Sequence, residues 1–138
     1  MQVKEIMTKE PEFLPTTATI FDAAKKMREL DTGFLPVGDK GTDKIVGTLT
    51  DRDIVISALA NKNALDTPVK SIMHQDVYYC YENDDIQIAF DSMKKKKIRR
   101  LIVLNKNKKL SGVLSLGDIA LNCDTKLSGE ALKYISVQ

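Results

Sequence analysis

Apolar residues fall at helical spacing twice along the chain, as Ile20, Ala23, Ala24, Met27 and Leu30 and again as Ile86, Ala89, Phe90 and Met93. Both stripes predict an amphipathic helix with its apolar side in a core. Thr17 or Thr19 is placed to cap the first helix, and Asn83 or Asp84 the second. A short β-branched and aromatic stretch precedes each helix, FLPTT at 13–17 and VYYCY at 77–81, and suits a pleated surface. Two further strands follow each helix, FLPV then IVGTLT, and RLIVL then LSGVLS. Polar turns join them, DKGTDK and NKNKK, with Gly38, Gly41 and Asn-Lys-Asn tolerating turn geometry. A last helix starts after T-x-x-D or S-x-x-D and carries Ile54, Ile56, Ala58 and Leu59, or Ile119, Ala120 and Leu121.

The two halves are copies. VKEIM at 3–7 returns as VKSIM at 69–73, an offset of 66 residues that also carries Ile20 onto Ile86, Met27 onto Met93, Leu35 onto Leu101 and Val37 onto Val103. After a one-residue loss, GTLTDRDI at 47–54 matches GVLSLGDI at 112–119. The predicted fold is α/β (α+β), with two tandem repeats at 1–60 and 66–123, each a small three-stranded sheet packed with helices. A repeat of roughly 60 residues is marginal alone, so the two are expected to share a core. ANKNALDT, 60–67, is a short polar connection. The tail, 124–138, reads as a short amphipathic helix capped at Ser128, with Leu127, Ala131, Leu132 and Ile135 packing on their own domain in preference to a partner.

Composition narrows the function. With 138 residues, 43% hydrophobic and 29% charged, the chain suits a compact soluble domain. No run approaches the roughly 18 apolar residues of a membrane span and MQVKEIMTKEPEF has no signal core, so a cytoplasmic location without membrane attachment is expected. A net charge of +2 and 6% aromatic residues argue against nucleic acid as a partner. Cys80 and Cys123 are far apart and His74 is the single histidine, so no metal site, redox dithiol or His-based triad is predicted. His74 reads as structural, the cysteines as packing residues, and the chain as a non-enzyme.

GTLTDRDI and GVLSLGDI, with the I-M turns and the L-P-V strand, resemble the cystathionine-β-synthase (CBS) domain, in the paired form of small stand-alone two-CBS proteins. The resemblance covers about residues 1–123. It implies CBS folds related by a pseudo-two-fold axis, adenosyl ligands in clefts between the repeats, and a homodimer acting on an effector protein. An aspartate at a helix start can accept both ribose hydroxyls, and the Ser or Thr three residues earlier can bond a ribose or phosphate oxygen. The plainer role of Thr50 with Asp53, and of Ser115 with Asp118, is helix capping. Carried over by motif, one cleft gathers Thr50, Arg52, Asp53, Val77, Tyr78, Arg99 and Arg100, the other Phe13, Gly33, Phe34, Ser115 and Asp118. Ile102 stands where the family has proline, as at Pro36.

The segment KKKKIRRL, 94–101, divides in this register. Lys94, Lys95 and Lys96 complement the dipole at a helix C-terminus; Lys97, four after Met93, continues the buried stripe. K-I-R-R-L is similar to the K-I-H-R-L by which the nucleotide-sensing γ subunits of AMP-activated protein kinase hold phosphates, with Arg99 in place of His. Guanidinium groups grip phosphate bidentately, so AMP, ADP or ATP is expected, with S-adenosylmethionine or NADH as further candidates and no cofactor required. The alternative is a structural or protein-interaction dimerisation module with vestigial clefts.

Overall fold

The computed structural model describes residues 1–39 and 44–137. The turn expected around Gly41 lies outside the described residues. The elements in chain order are β1 (Thr8–Lys9), β2 (Leu14–Pro15), α1 (Ile20–Leu30), β3 (Phe34–Asp39), β4 (Lys44–Thr50), α2 (Asp51–Asp53), β5 (Tyr79–Tyr81), α3 (Ile86–Lys96), β6 (Arg100–Leu104), β7 (Leu110–Ser115), α4 (Leu116–Asn122) and α5 (Thr125–Ser136). Short 3-10 turns form at Val3–Glu5 and Val69–Ser71. The chain separates into two compact units, a continuous one of Glu12–Val77 and a split one that joins Met1–Pro11 to Tyr78–Gln138.

This division crosses the sequence repeats, because each VKxIM turn packs with strands of the other repeat. Val3 is buried in the core cluster of Cys80, Phe90, Leu101 and Leu114, and Val69 in the cluster of Leu14, Ala23, Leu35 and Leu49. Sharing of a core therefore takes the form of exchanged turns. The motif glycines make room for them. A Cβ on Gly47 would lie 2.5 Å from Met73 Sδ and 2.9 Å from the His74 carbonyl; on Gly112 it would lie 2.5 Å from Met7 Sδ and 2.8 Å from the Thr8 carbonyl.

In the continuous unit, β2 pairs parallel with β3 and β3 antiparallel with β4. Thr19, not Thr17, caps α1: its hydroxyl accepts from Asp22 N at 3.1 Å and Asp22 accepts from Thr19 N at 3.0 Å. Those bonds from Thr19, backbone first, hold the Asp22 carboxyl below its ordinary range. Ile20, Ala23 and Met27 are buried, whereas Ala24 and Leu30 are exposed, so the stripe is narrower than its apolar residues suggest. Gly38 belongs to β3, at a bulge against β4, and its φ is not positive; a Cβ there would meet the Lys44 carbonyl.

The split unit has four strands in the order β1-β7-β6-β5, one more than expected, because Thr8 and Lys9 pair antiparallel with Val113 and Gly112. The continuous unit keeps only the bridge Thr48↔His74 at the matching place. Asp85 caps α3, accepting from Gln87 N at 2.8 Å, while Asp84 is engaged with Tyr81 N at 2.9 Å, so neither Asn83 nor Asp84 is the cap. In NKNKK, Asn105 accepts from the amides of Asn107 and Lys109, and Lys108 takes the positive φ of 60°.

Helices α1 and α3 both end on a left-handed residue other than glycine, Asp31 at φ 51° and Lys97 at φ 57°. Lys97 therefore does not continue the buried stripe: the chain reverses there, Lys97 is exposed, and Ile98 packs against the core. Lys94 lies over the Phe90 ring at 4.5 Å and Lys96 over the Tyr78 ring at 5.0 Å. Helix α2 runs on as a π segment, Ile54–Ala58, and a 3-10 turn, Leu59–Asn61. Its expected apolar face is only part core: Ala58 is buried, but Ile56 and Leu59 are exposed, as is Leu121 on α4. Asp124, not Ser128, caps α5; the Ser128 hydroxyl donates instead to the Cys123 carbonyl at 2.9 Å. Ala131 is buried and Leu127, Tyr134 and Ile135 pack on the same core, while Leu132 is exposed.

Candidate ligand-binding site

The two T/S-x-x-D motifs build the same local structure at the end of a strand. Thr50 Oγ1 accepts from Asp53 N at 3.1 Å and Asp53 Oδ2 accepts from Thr50 N at 2.9 Å. Ser115 and Asp118 repeat this at 3.0 and 2.9 Å. The capping role is thus filled twice, contributing about 1 kcal/mol each. It leaves each hydroxyl its proton to donate and each carboxylate its Oδ1 atom, so a second role at the same residues is chemically open.

The aspartates differ in what meets that second oxygen. Asp53 is buried, and its Oδ1 lies 2.9 Å from His74 Nε2. His74 is held there by backbone bonds in both directions to Thr48, each 2.9 Å. Asp118 is half-buried, and Thr8, which matches His74 in the repeat register, makes no hydrogen bond to it among the described residues. The sequence pattern marks His74 only as structural; its reach to Asp53 depends on the exchanged turn, and its local sign is its place directly after the I-M pair.

Each helix start meets the residue that leads into the neighbouring strand. Asp51 N donates to the Gly33 carbonyl at 2.9 Å and Leu116 N to the Arg99 carbonyl at 3.0 Å. A Cβ on Gly33 would lie 2.7 Å from Asp51 Oδ2, whereas Leu116 is buried in the core. Arg99 and Arg100 are exposed at the start of β6, and Arg99 donates to the Ile135 carbonyl at 3.2 Å, near the C-terminus of α5. That end is electronegative, which suits a guanidinium. Ile102 supplies an amide that a proline lacks: it donates to the Tyr78 carbonyl at 3.1 Å, and β5 pairs from Tyr79↔Ile102 onward, while β2 pairs only from Leu14↔Val37.

Of the residues expected at the two clefts, Thr50, Arg52, Asp53, Val77, Phe13, Gly33 and Phe34 lie in the continuous unit. Tyr78, Arg99, Arg100, Ser115 and Asp118 lie in the split unit. Each expected set draws on both units, and within a unit the motif pairs and their strand partners are adjacent. Arg52 is exposed; Val77, Tyr78 and Phe34 are half-buried. Phe13 lines a cavity of about 290 Å³ with Leu14, Lys25 and Lys26.

Other chemistry is sparse among the described residues. No group of three or more His, Cys, Asp or Glu gathers as for a metal ion. Burial, with a smaller push from Asp84, raises the Cys80 thiol to about 12, so it is not a thiolate at neutral pH. No helix is long and apolar enough to cross a membrane.

The CBS-domain family model matches residues 3–59 and 69–123. The chain belongs to the CBS domain family. Among solved structures it is similar to the CBS domain protein PAE2072 from Pyrobaculum aerophilum, complexed with AMP, at 27% identity and TM-score 0.80, covering 96% of this chain and 99% of that one. The CBS domain pair of protein MJ0100, in complex with 5′-methylthioadenosine and S-adenosyl-L-methionine, matches at 26% identity and TM-score 0.77, covering 94% and 97%. Hypoxic Response Protein I, with two coordinated zinc ions, matches at 31% identity and TM-score 0.74, covering 88% and 98%.

Proposed function

We propose that the chain is a non-enzymatic regulatory module that binds an adenosyl ligand, with AMP, ADP or ATP ahead of S-adenosylmethionine or NADH, and so reports adenylate levels to an effector protein in the cytoplasm. The observation that carries this reading is the Asp53 carboxylate, buried at a helix start with Oδ2 spent on capping and Oδ1 spent on one exposed imidazole. A ribose diol can replace that imidazole. Asp118 is the matching acceptor in the split unit. Arg99, Arg100 and Arg52 are the phosphate donors of the proposal, each charge-assisted bond contributing about 1.5–3 kcal/mol. The ligands of PAE2072 and MJ0100 support the adenosyl class. No zinc role is proposed, since the described residues gather no metal-ligand cluster.

Thermal unfolding in the presence of AMP, ADP, ATP, S-adenosylmethionine and NADH tests the proposal. A ligand at a hundredfold excess over Kd stabilises the fold by about 2.7 kcal/mol, so at least one adenylate is expected to raise Tm by several degrees. The second reading, a homodimerisation module, is favoured by the exposed Val55, Ile56 and Leu59 on the helix that follows Asp53. A dimer by light scattering, with no thermal response to any of the five ligands, selects it over nucleotide sensing.

A further inference from the structure

We propose that His74 competes with the ligand for the Asp53 carboxylate and makes adenosyl binding in the continuous unit weaken as pH falls. The inference rests on the ribose-binding reading of Asp53. Three features place the imidazole in this role. Its Nε2 is 2.9 Å from Asp53 Oδ1, the carboxylate oxygen that the capping box leaves over. Its backbone is fixed to Thr48 by two hydrogen bonds, so the ring is anchored beside the site and does not arrive from a loop. Its side chain is 64% exposed, so it can swing into solvent when a diol takes its place.

Imidazoles change charge between pH 5 and 8. A protonated His74 forms an ion pair with Asp53, and a ligand must break that pair to reach the carboxylate. A neutral His74 offers one ordinary hydrogen bond, which two ribose hydroxyls replace. The sign is therefore weaker binding at low pH. The remaining charged groups of the adjoining elements in this unit do not substitute for Asp53. On β4 the charged residue is Lys44, at the far end of the strand opposite Asp39. Beside Asp53, the Asp51 carboxylate accepts from Arg52 N at 2.8 Å next to Gly33, and Arg52 is exposed. Lys70 and Asp76, on the segment of His74 itself, are exposed. Asp118, with Thr8 at the matching position, is expected to show no such response.

The test is calorimetric titration of the full chain with AMP at pH 8.0 and 5.5, comparing wild type with His74→Gln. Glutamine keeps a hydrogen-bond donor and does not titrate, and the ionisation of the AMP phosphate cancels in the ratio of the two proteins. The expected result is a wild-type affinity that falls about two- to fivefold relative to His74→Gln between the two pH values, the range of a partly exposed ion pair. A ratio that is flat with pH, or one that rises as pH falls, overturns the proposal while Asp53→Ala still weakens AMP. If Asp53→Ala leaves AMP affinity unchanged, or AMP does not bind, the ribose reading itself has failed and the role of His74 falls with it.

Discussion

The continuous and split units share a capping box, the order of three strands and a methionine packed on a glycine, yet they carry their charge on opposite sides of the motif. In the continuous unit the helix start is Asp51-Arg52-Asp53 and the neighbouring strand is entered through Gly33-Phe34; in the split unit the helix start is Leu116-Gly117-Asp118 and the strand is entered through Arg99-Arg100. Packing explains why the two choices go together. Where the helix residue turns its carboxylate towards the residue before the strand, any side chain there must push the carboxylate aside, as at Gly33; where that residue is a leucine buried in the core, the equivalent position holds a long cation, Arg99. The continuous unit holds 8 basic and 10 acidic residues, net −2, and the split unit 13 and 9, net +4. Duplication thus preserved the scaffold and let the charged positions around it diverge as linked pairs.

The shared scaffold can be broken in either unit with the same expected cost. Gly47→Ala and Gly112→Ala each drive a Cβ into a methionine sulfur and a carbonyl oxygen, and each should lower unfolding free energy by about 2–3 kcal/mol in denaturant titration. A loss at one glycine alone would show that the two exchanged turns are not equivalent. The divergent pair is softer, because the obstacle at Gly33 is the end of a side chain. Gly33→Ala should cost about 1 kcal/mol, and adding Asp51→Ala should recover most of it, a coupling that independent sites do not show. Gly33→Ala without cost, or without rescue, would remove the packing explanation for the charge exchange.

Much of this arrangement was legible in the amino-acid sequence, for a local reason. Helix stripes and strand alternation repeat at a fixed offset, and each is set within a few residues, so the elements and the T/S-x-x-D boxes could be placed from one copy and checked on the other, whereas the caps of α3 and α5 fell to Asp85 and Asp124. What could not be read depended on contacts distant in sequence or on the backbone alone. Nothing in VKEIM says that Met7 will lie on Gly112 and not on Gly47, and without that exchange His74 has no reason to reach Asp53. Lys97 has helical spacing from Met93, but left-handed backbone at a lysine leaves no mark in an apolar pattern. The engagement of Arg99 with the Ile135 carbonyl joins residues 36 apart, and the added strand β1 follows from the same turn exchange. Ile102 in place of proline was visible, and its consequence, a longer β5–β6 ladder, is what an added amide permits.

The asymmetry proposed for ligand binding is that Asp53 and Arg100 each matter more to a phosphorylated ligand than Asp118 does. Isothermal titration of AMP into Asp53→Ala, Arg100→Ala and Asp118→Ala proteins tests it directly, and the double variant Asp53→Ala/Arg100→Ala shows whether one ligand uses both groups. The account predicts affinity losses of about tenfold or more for Asp53→Ala and for Arg100→Ala, a combined loss smaller than their product, and a clearly smaller loss for Asp118→Ala. Equal losses at Asp53 and Asp118 would contradict it.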